Sequence, residues 1–202
     1  MTTQPHFRKE RTLVILKPDG IQRSLVGEII SRFERVGLKL VGMKMMIPTR
    51  EMVEKHYTLD EGWLMAVGTK SIKGFLDKGL TPPSEDPMVV ARDILGALLD
   101  YLTAGPVVAF VLEGAHAVGI VRKLIGSTEP FSSDVGTIRG DYMLDSYEMS
   151  KSDGRALRNL VHASGSVKEA KDEIAHWFSA HELFEYRIVQ EHILYDQKMD
   201  LL

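Results

Sequence analysis

The stretch PVVAFVLEG, residues 106–114, constrains most strongly what this chain can fold into. Apolar, rich in β-branched residues and bounded by proline and glycine, it reads as a strand. A strand leaves N–H and C=O groups unpaired along both edges, so it needs neighbours. Two more runs supply them. TLVILK (12–17) is a short apolar run that closes on KPDG, where Pro18 and Gly20 give a type I turn signature. In LVGMKMMIP (40–48) the apolar positions 41, 43, 45 and 47 alternate and Pro48 ends the run.

Helical spacing fills the intervals. Val26, Ile29, Ile30, Phe33 and Val36 recur on one face, with Gly37 as the stop. A short helix follows from Glu51 to about Tyr57, a longer one over 89–103, and another over 115–125 that Gly126 ends. Residues 167, 170, 174, 177 and 178 mark a last amphipathic helix, started by the capping-box spacing of Ser166 and Glu169. Between Gly62 and Ala91 the pattern loosens into a connector containing LTPPSEDP, and a glycine-punctuated loop runs from Ser127 to about Asp141. With NLV (159–161) as the fourth strand, the order is β-α-β-β-α-β. That plan is an α/β (α+β) fold, an antiparallel sheet with helices packed on one face, in a single domain over 1–202.

Composition narrows the function. Over 202 residues, 44 % apolar and 26 % charged, the chain is an ordinary globule. A formal charge of −3 argues against bulk binding to nucleic acid or anionic membrane but leaves room for a local basic pocket. Zero cysteines remove disulfides, thiolate metal sites and thiol nucleophiles. The opening MTTQPHFRKER lacks a signal-peptide core and no stretch approaches the ~20 apolar residues of a membrane span, so a cytoplasmic protein is the expectation.

The cations Lys17, Arg122 and Arg139 fall near element ends, and Arg139 sits in GTIRGD among small residues that let a ligand approach. Converging, they would hold a polyphosphate through charge-assisted hydrogen bonds; apart, they are solvated surface charges. No P-loop or kinase-type glycine loop is present. RNLVHASGS (158–166) sets His162 beside an apolar pair, which suits a packed histidine as well as a reactive one. Glu173, two turns into the last helix, could reach one ring nitrogen and leave the other free as nucleophile or base, with Ser164 bonding a group nearby. A serine hydrolase is disfavoured because G-x-S-x-G is absent. A zinc site from His162, His176, His181 and His192 is disfavoured by the i,i+5 spacing of HWFSAH.

Together, ERTLVILKPDG, GPVVAFVLEG, RKLIGSTEP, GTIRGD, RNLVHASGS and EIAHWF resemble the nucleoside diphosphate kinases, in order, over roughly 10–60 and 104–195. The resemblance implies a ferredoxin-like fold and ping-pong transfer of the γ-phosphate of a nucleoside triphosphate to a nucleoside diphosphate through a phosphohistidine. It implies His162 as nucleophile, Glu173 as its orienting carboxylate and Ser164 as a neighbour. Lys17, Tyr57, Arg122, Thr128, Arg139 and Asn159 would be nucleotide contacts, and Mg²⁺ would be carried by the nucleotide phosphates. No protein metal ligands are implied. Trp63 takes the base-stacking place, although the family spacing from Tyr57 falls on Met65. The resemblance also implies a homo-oligomer, hexamer or tetramer, assembled through surfaces near the second of two insertions of this chain, at about 66–99 and 143–157. A regulatory nucleotide-binding module and a protein phosphate-relay partner are the alternatives.

Overall fold

Thr12 to Leu16 and all eight residues of Val107–Gly114 are buried, so the two strands that carry them need cover on both faces. The computed structural model, which describes residues 6–60, 62–77, 79 and 81–196, provides it. Strand β1 (Glu10–Leu16) leads through α1 (Pro18–Gln22) and α2 (Val26–Arg35) to β2 (Lys39–Met46). Helices α3 (Arg50–Thr58), α4 (Trp63–Leu76) and α5 (Pro87–Thr103) precede β3 (Val107–Gly114). Then come α6 (Ala117–Ile125), α7 (Ile138–Tyr142), α8 (Tyr147–Ser152), β4 (Val161–Ala163), α9 (Val167–Trp177) and α10 (Gln190–Tyr195).

The sheet order is β2-β3-β1-β4, antiparallel throughout, the ferredoxin-like arrangement. Alternation along the central strands sorts their side chains into two layers. Val14, Leu16, Val108, Phe110 and Leu112 face Ile29 and Phe33 of α2 and Val121 and Ile125 of α6. Leu13, Ile15, Val107, Ala109 and Val111 face Ile174 and Trp177 of α9. Helices therefore cover both faces rather than one, as strands with no polar face require. Among the described residues no helix is long and apolar enough to cross a membrane.

Several local expectations change. KPDG is the first turn of α1, with Lys17 at its N-cap, rather than an isolated turn. Met43, Met45 and Ile47 are exposed, by 53 %, 60 % and 67 %, although their alternation suggested a buried set. A bulge between Leu40 and Gly42 inserts Val41 and shifts the later strand by one residue, which exchanges its faces. The loose region contains the 14-residue α4, whose glycines had the look of breakers. Gly68 has a packing reason: a Cβ there would lie 1.9 Å from the Pro87 carbonyl oxygen, so only glycine lets α4 meet the start of α5.

The fourth strand is 161–163, not 159–161. The N–H of Asn159 goes to the Tyr101 hydroxyl (3.3 Å) and that of Leu160 to Asp19 Oδ2 (3.3 Å), so neither joins the ladder. His162 thus lies inside β4, opposite Ile15, on the α9 side of the sheet. The segment 143–157 is tied at its base, where Arg155 grips the buried Asp145 with both terminal guanidinium nitrogens, at 2.7 and 3.1 Å. It reaches α4 through the Lys151 ammonium, 4.1 Å from the centre of the Phe75 ring.

Candidate active site

Register decides which way His162 points. With Val161 and Ala163 turned into the α2–α6 layer, the residue between them must face α9, where Glu173 waits on the inner side of the helix. Ser166 starts that helix by accepting the Glu169 N–H at 3.1 Å. His162 Nε2 lies 2.8 Å from Glu173 Oε1, while Glu173 Oε2 accepts the Ser164 hydroxyl at 2.6 Å. Ser164 is fully buried and also accepts the Leu13 N–H at 3.3 Å, so it anchors the carboxylate to β1. Burial by itself would raise the Glu173 carboxyl. The charge and hydrogen bond of His162, together with His56 and Ser164, outweigh it and hold the group down at about 2. An ionised carboxylate on Nε2 keeps the proton there and presents Nδ1 with its lone pair free.

His56 on α3 completes this side, and the sequence reading missed it. Its one signal is its place three residues after buried Val53 on the inner face of α3. The Trp177 indole N–H donates to His56 Nδ1 at 3.2 Å, which fixes the proton on Nε2. The His56 ring meets His162 edge to face, 4.5 Å between centroids. Burial, reinforced by His162, pulls its pKa down to about 3, so it packs as a neutral ring. His56, His162 and Glu173 form the one three-ligand group among the described residues. It is a poor metal site, because Trp177 occupies one lone pair and Glu173 pairs with the other histidine. The remaining histidines do not converge: His176 pairs with the Met52 carbonyl, His181 with Ser179 and His192 with Asp196.

A cationic cluster forms on the other flank of His162. Lys17, 4 % exposed, donates from Nζ to Asn159 Oδ1 at 2.7 Å, and Asn159 Nδ2 donates to the Thr128 carbonyl at 2.9 Å. Burial, with Arg139 adding to it, draws the Lys17 ammonium from 10.5 down to about 7, against the pull of Asp19. Arg139 differs from the expectation of a free grip. Its guanidinium donates to the carbonyls of Asn159 (3.1 Å), Gly126 (3.2 Å), Ser127 (2.8 Å) and Val161 (2.7 Å). Four of five N–H groups are engaged, so its first task is to staple the turns around β4. The small residues beside it serve the loop itself: a Cβ on Gly140 would sit 2.2 Å from the Asp134 carbonyl oxygen. From α2, Arg32 fastens the same loop through Gly136 and Asp141. Arg122 lies close enough to lower Arg139 electrostatically, yet it is exposed and its guanidinium makes no hydrogen bond or ion pair among the described residues.

Tyr57 and Trp63 stand on the α9 flank, their rings 5.2 Å apart, and line a cavity of about 210 Å³ with His162, Asp60, Glu169 and Asp172. That cavity is acidic. Trp63 also packs against the cluster of Val53, Leu95, Leu99 and Leu102, so it serves core and cavity together. The sequence-predicted residues therefore assemble around the β4 turn on two sides of one imidazole, with Arg122 and Thr128 at the exposed rim.

An antiparallel α/β sandwich that holds an oriented imidazole beside a cationic turn belongs to the class of phosphoryl-transfer enzymes that work through histidine. Comparison with known proteins narrows the class. A profile of the nucleoside diphosphate kinases matches residues 10–65 and 89–183. A nucleoside diphosphate kinase of Pyrobaculum aerophilum is 48 % identical over 180 residues, 87 % of this chain and 98 % of that one. One of Pyrococcus furiosus is 44 % identical, covering 88 % of each chain. Among solved structures, the NDP kinase from Pyrobaculum aerophilum superposes with a TM-score of 0.84 at 47 % identity, over 88 % of this chain and all of that one. A transition-state mimic of the Borrelia burgdorferi nucleoside-diphosphate kinase, with bound vanadate and ADP, gives 0.73 at 35 %, over 90 % and 94 %. The chain belongs to the nucleoside diphosphate kinase family.

The role of the carboxylate is testable by itself. Glu173→Gln keeps the shape and can still turn an amide oxygen to Nε2, but it loses the charge that favours the imidazolium. We expect kcat to fall about 10- to 100-fold with KM for nucleotide nearly unchanged, a loss typical of an orienting partner. Steady-state kinetics showing a loss in KM alone would contradict this assignment.

Proposed function

We propose that His162 carries the phosphoryl group in the ping-pong transfer from a nucleoside triphosphate to a nucleoside diphosphate. The observation that carries this reading is the His162–Glu173 contact of 2.8 Å, which commits Nε2 and leaves Nδ1 free. The Nδ1 lone pair attacks the γ-phosphorus; an N–P bond forms as the bond to the bridging oxygen breaks, and the diphosphate leaves with the bond electrons. In the second half an acceptor diphosphate oxygen attacks the same phosphorus and restores the imidazole. A loose phosphoryl transition state asks for placement and charge stabilisation. Lys17 and Arg122 are the cations with donors to offer, Arg139 contributes its charge and one remaining N–H, and Asn159 and Thr128 bound the turn. The phosphates lie on this cationic flank, since the opposite cavity is lined by carboxylates. Tyr57 and Trp63 are the aromatic surfaces offered to the base.

Mg²⁺ fits this site as a passenger of the nucleotide. The phosphate flank holds cations rather than converging carboxylates, so phosphate oxygens would be its ligands, and when bound it would supply neutralisation of phosphate charge. The whole chain acts as one domain with insertions at 66–99 and 143–157, and we place it in the cytoplasm, which its lack of cysteine suits. Incubation with γ-labelled ATP tests the central reading. An acid-labile, base-stable label on the protein, discharged by an added diphosphate, is the expected result; no phosphoenzyme overturns it.

The enzyme is further proposed to be a homo-oligomer. Edge strand β2 and Ile47 just after it expose Met43, Met45 and Ile47 beside an apolar groove of about 330 Å³ formed by Leu40, Gly42, Met43, Phe184 and Tyr186. A long apolar edge of this kind is a hazard unless another chain covers it. Light scattering at micromolar concentration is expected to give a multiple of 22.7 kDa, falling towards one chain in Met43→Glu/Met45→Glu. A monomeric wild type sinks the proposal.

A further inference from the structure

Tyr101, near the end of α5, touches both members of the Lys17–Asn159 pair. The Lys17 ammonium lies 4.9 Å from the centre of its ring, within the range of a cation held on an aromatic face. Its hydroxyl accepts the N–H of Asn159 at 3.3 Å. The next residue, Leu160, has φ +64°, a left-handed conformation that a branched side chain adopts only when its surroundings enforce it. Asp19 Oδ2 takes the Leu160 N–H, and the Lys17 N–H donates to the Leu160 carbonyl at 2.8 Å. Both N–H groups of this strained turn are thus held by side chains of α5 and α1, and His162 follows two residues later.

We propose that Tyr101 is a positioning residue for phosphoryl transfer: its ring seats the Lys17 ammonium against Asn159, and its hydroxyl fixes the turn that delivers His162. The proposal rests on Lys17 acting as a phosphate grip in the reaction above. The groups that face Lys17 are Asp19 from α1, Arg139 from α7, Tyr101 from α5 and, on the α3 side, His56. Of these, Arg139 opposes the charge, Asp19 favours it, and the buried His56 is neutral. With burial drawing Lys17 down to about 7, small contributions decide how much ammonium is present at neutral pH. A ring face contributes in the favourable direction, because its quadrupole is negative toward the cation. The hydroxyl acts on the turn and lies against Asp19, while the π-face acts on the ammonium directly.

The test is the pH profile of kcat/KM, which reports groups of the free enzyme. The variants are Tyr101→Phe and Tyr101→trifluorophenylalanine, equal in outline and unequal in ring quadrupole. Wild type is expected to lose kcat/KM as pH rises through about 7, a limb that Lys17→Gln abolishes. Tyr101→Phe lowers kcat about 3- to 10-fold, the size expected when one buried N–H loses its acceptor, and is the reference for the limb, since both variants lack the hydroxyl beside Asp19. Relative to it, fluorination moves the limb to lower pH by about half a unit or more and raises KM for the nucleotide. Superimposable profiles for the two variants, on a wild type that shows the limb, overturn the role of Tyr101 alone. A wild type without the limb removes the Lys17 reading and this one with it. A merely structural tyrosine would change stability and yield equally in both variants and leave the limb at the same pH in both.

Discussion

His162→Ala is expected to lower turnover on the order of 10⁴-fold or more, because the group proposed to form the covalent intermediate is gone while the rest of the site remains. The prediction is sharper than loss of activity alone. The variant should take up no acid-labile label from γ-labelled ATP, while its affinity for a diphosphate stays within a few-fold of wild type. That separation follows from the geometry: the cationic flank is built by Lys17, Asn159 and Arg139, whose mutual bonds do not pass through the imidazole. Removing the ring leaves buried Glu173 facing a void on one side, with Ser164 and His56 still beside it. We expect a stability cost of about 1–3 kcal/mol, too small to unfold a domain of this size. Turnover within tenfold of wild type would reject His162 as the carrier.

Lys17→Met should do two opposite things. The ammonium is a buried cation on the phosphate flank, and its loss is expected to reduce kcat/KM about 10²- to 10³-fold, as removal of a single preorganised donor does. It should also stabilise the fold. Lys17 titrates near 7 when folded and near 10.5 when unfolded, so between these values the unfolded chain holds more protons than the native one. Wild-type stability must then rise as pH increases from about 7 toward 10.5, and below 7 the native state carries the full cost of a buried charge. Methionine fills similar volume without the charge, and replacing a buried ion by an apolar side chain is worth roughly 1–3 kcal/mol even with Asn159 left short of a donor. Urea denaturation at pH 6.5 and pH 9 reads the result: the variant should exceed wild type at the lower pH and converge with it at the higher. A variant that is less stable at both, with the wild-type slope, would show that Lys17 is not held as a costly buried ion. Here the function requires a charge that the fold disfavours.

How far the sequence reached can be judged residue by residue. β1, α2, β3, α6 and α9 were legible because each buries a face whose period, 2 or 3.6, is written in the order of its side chains. The site residues were nameable as a set through the resemblance of six ordered motifs. Periodicity failed where backbone chemistry intervened. The bulge at Val41 reversed the faces of β2, and the glycines of α4 concealed a helix whose stability comes from α5 rather than from propensity. His56 and Tyr101 escaped notice because nothing about a histidine in KHY or a tyrosine among leucines announces its partners.

Sequence by itself determined β1, β3 and the main helices, and offered the side chains able to carry phosphoryl chemistry, since those depend on local pattern and residue type. The tertiary structure alone decided which nitrogen of His162 is free, that Arg139 staples carbonyls before it can grip a phosphate, and that Lys17 sits where its charge is costly. Those properties arise from distances between residues up to 142 positions apart in the chain, such as Lys17 and Asn159 at 2.7 Å. Hydrogen-bond direction and desolvation are set by such contacts, which residue type and local pattern do not specify.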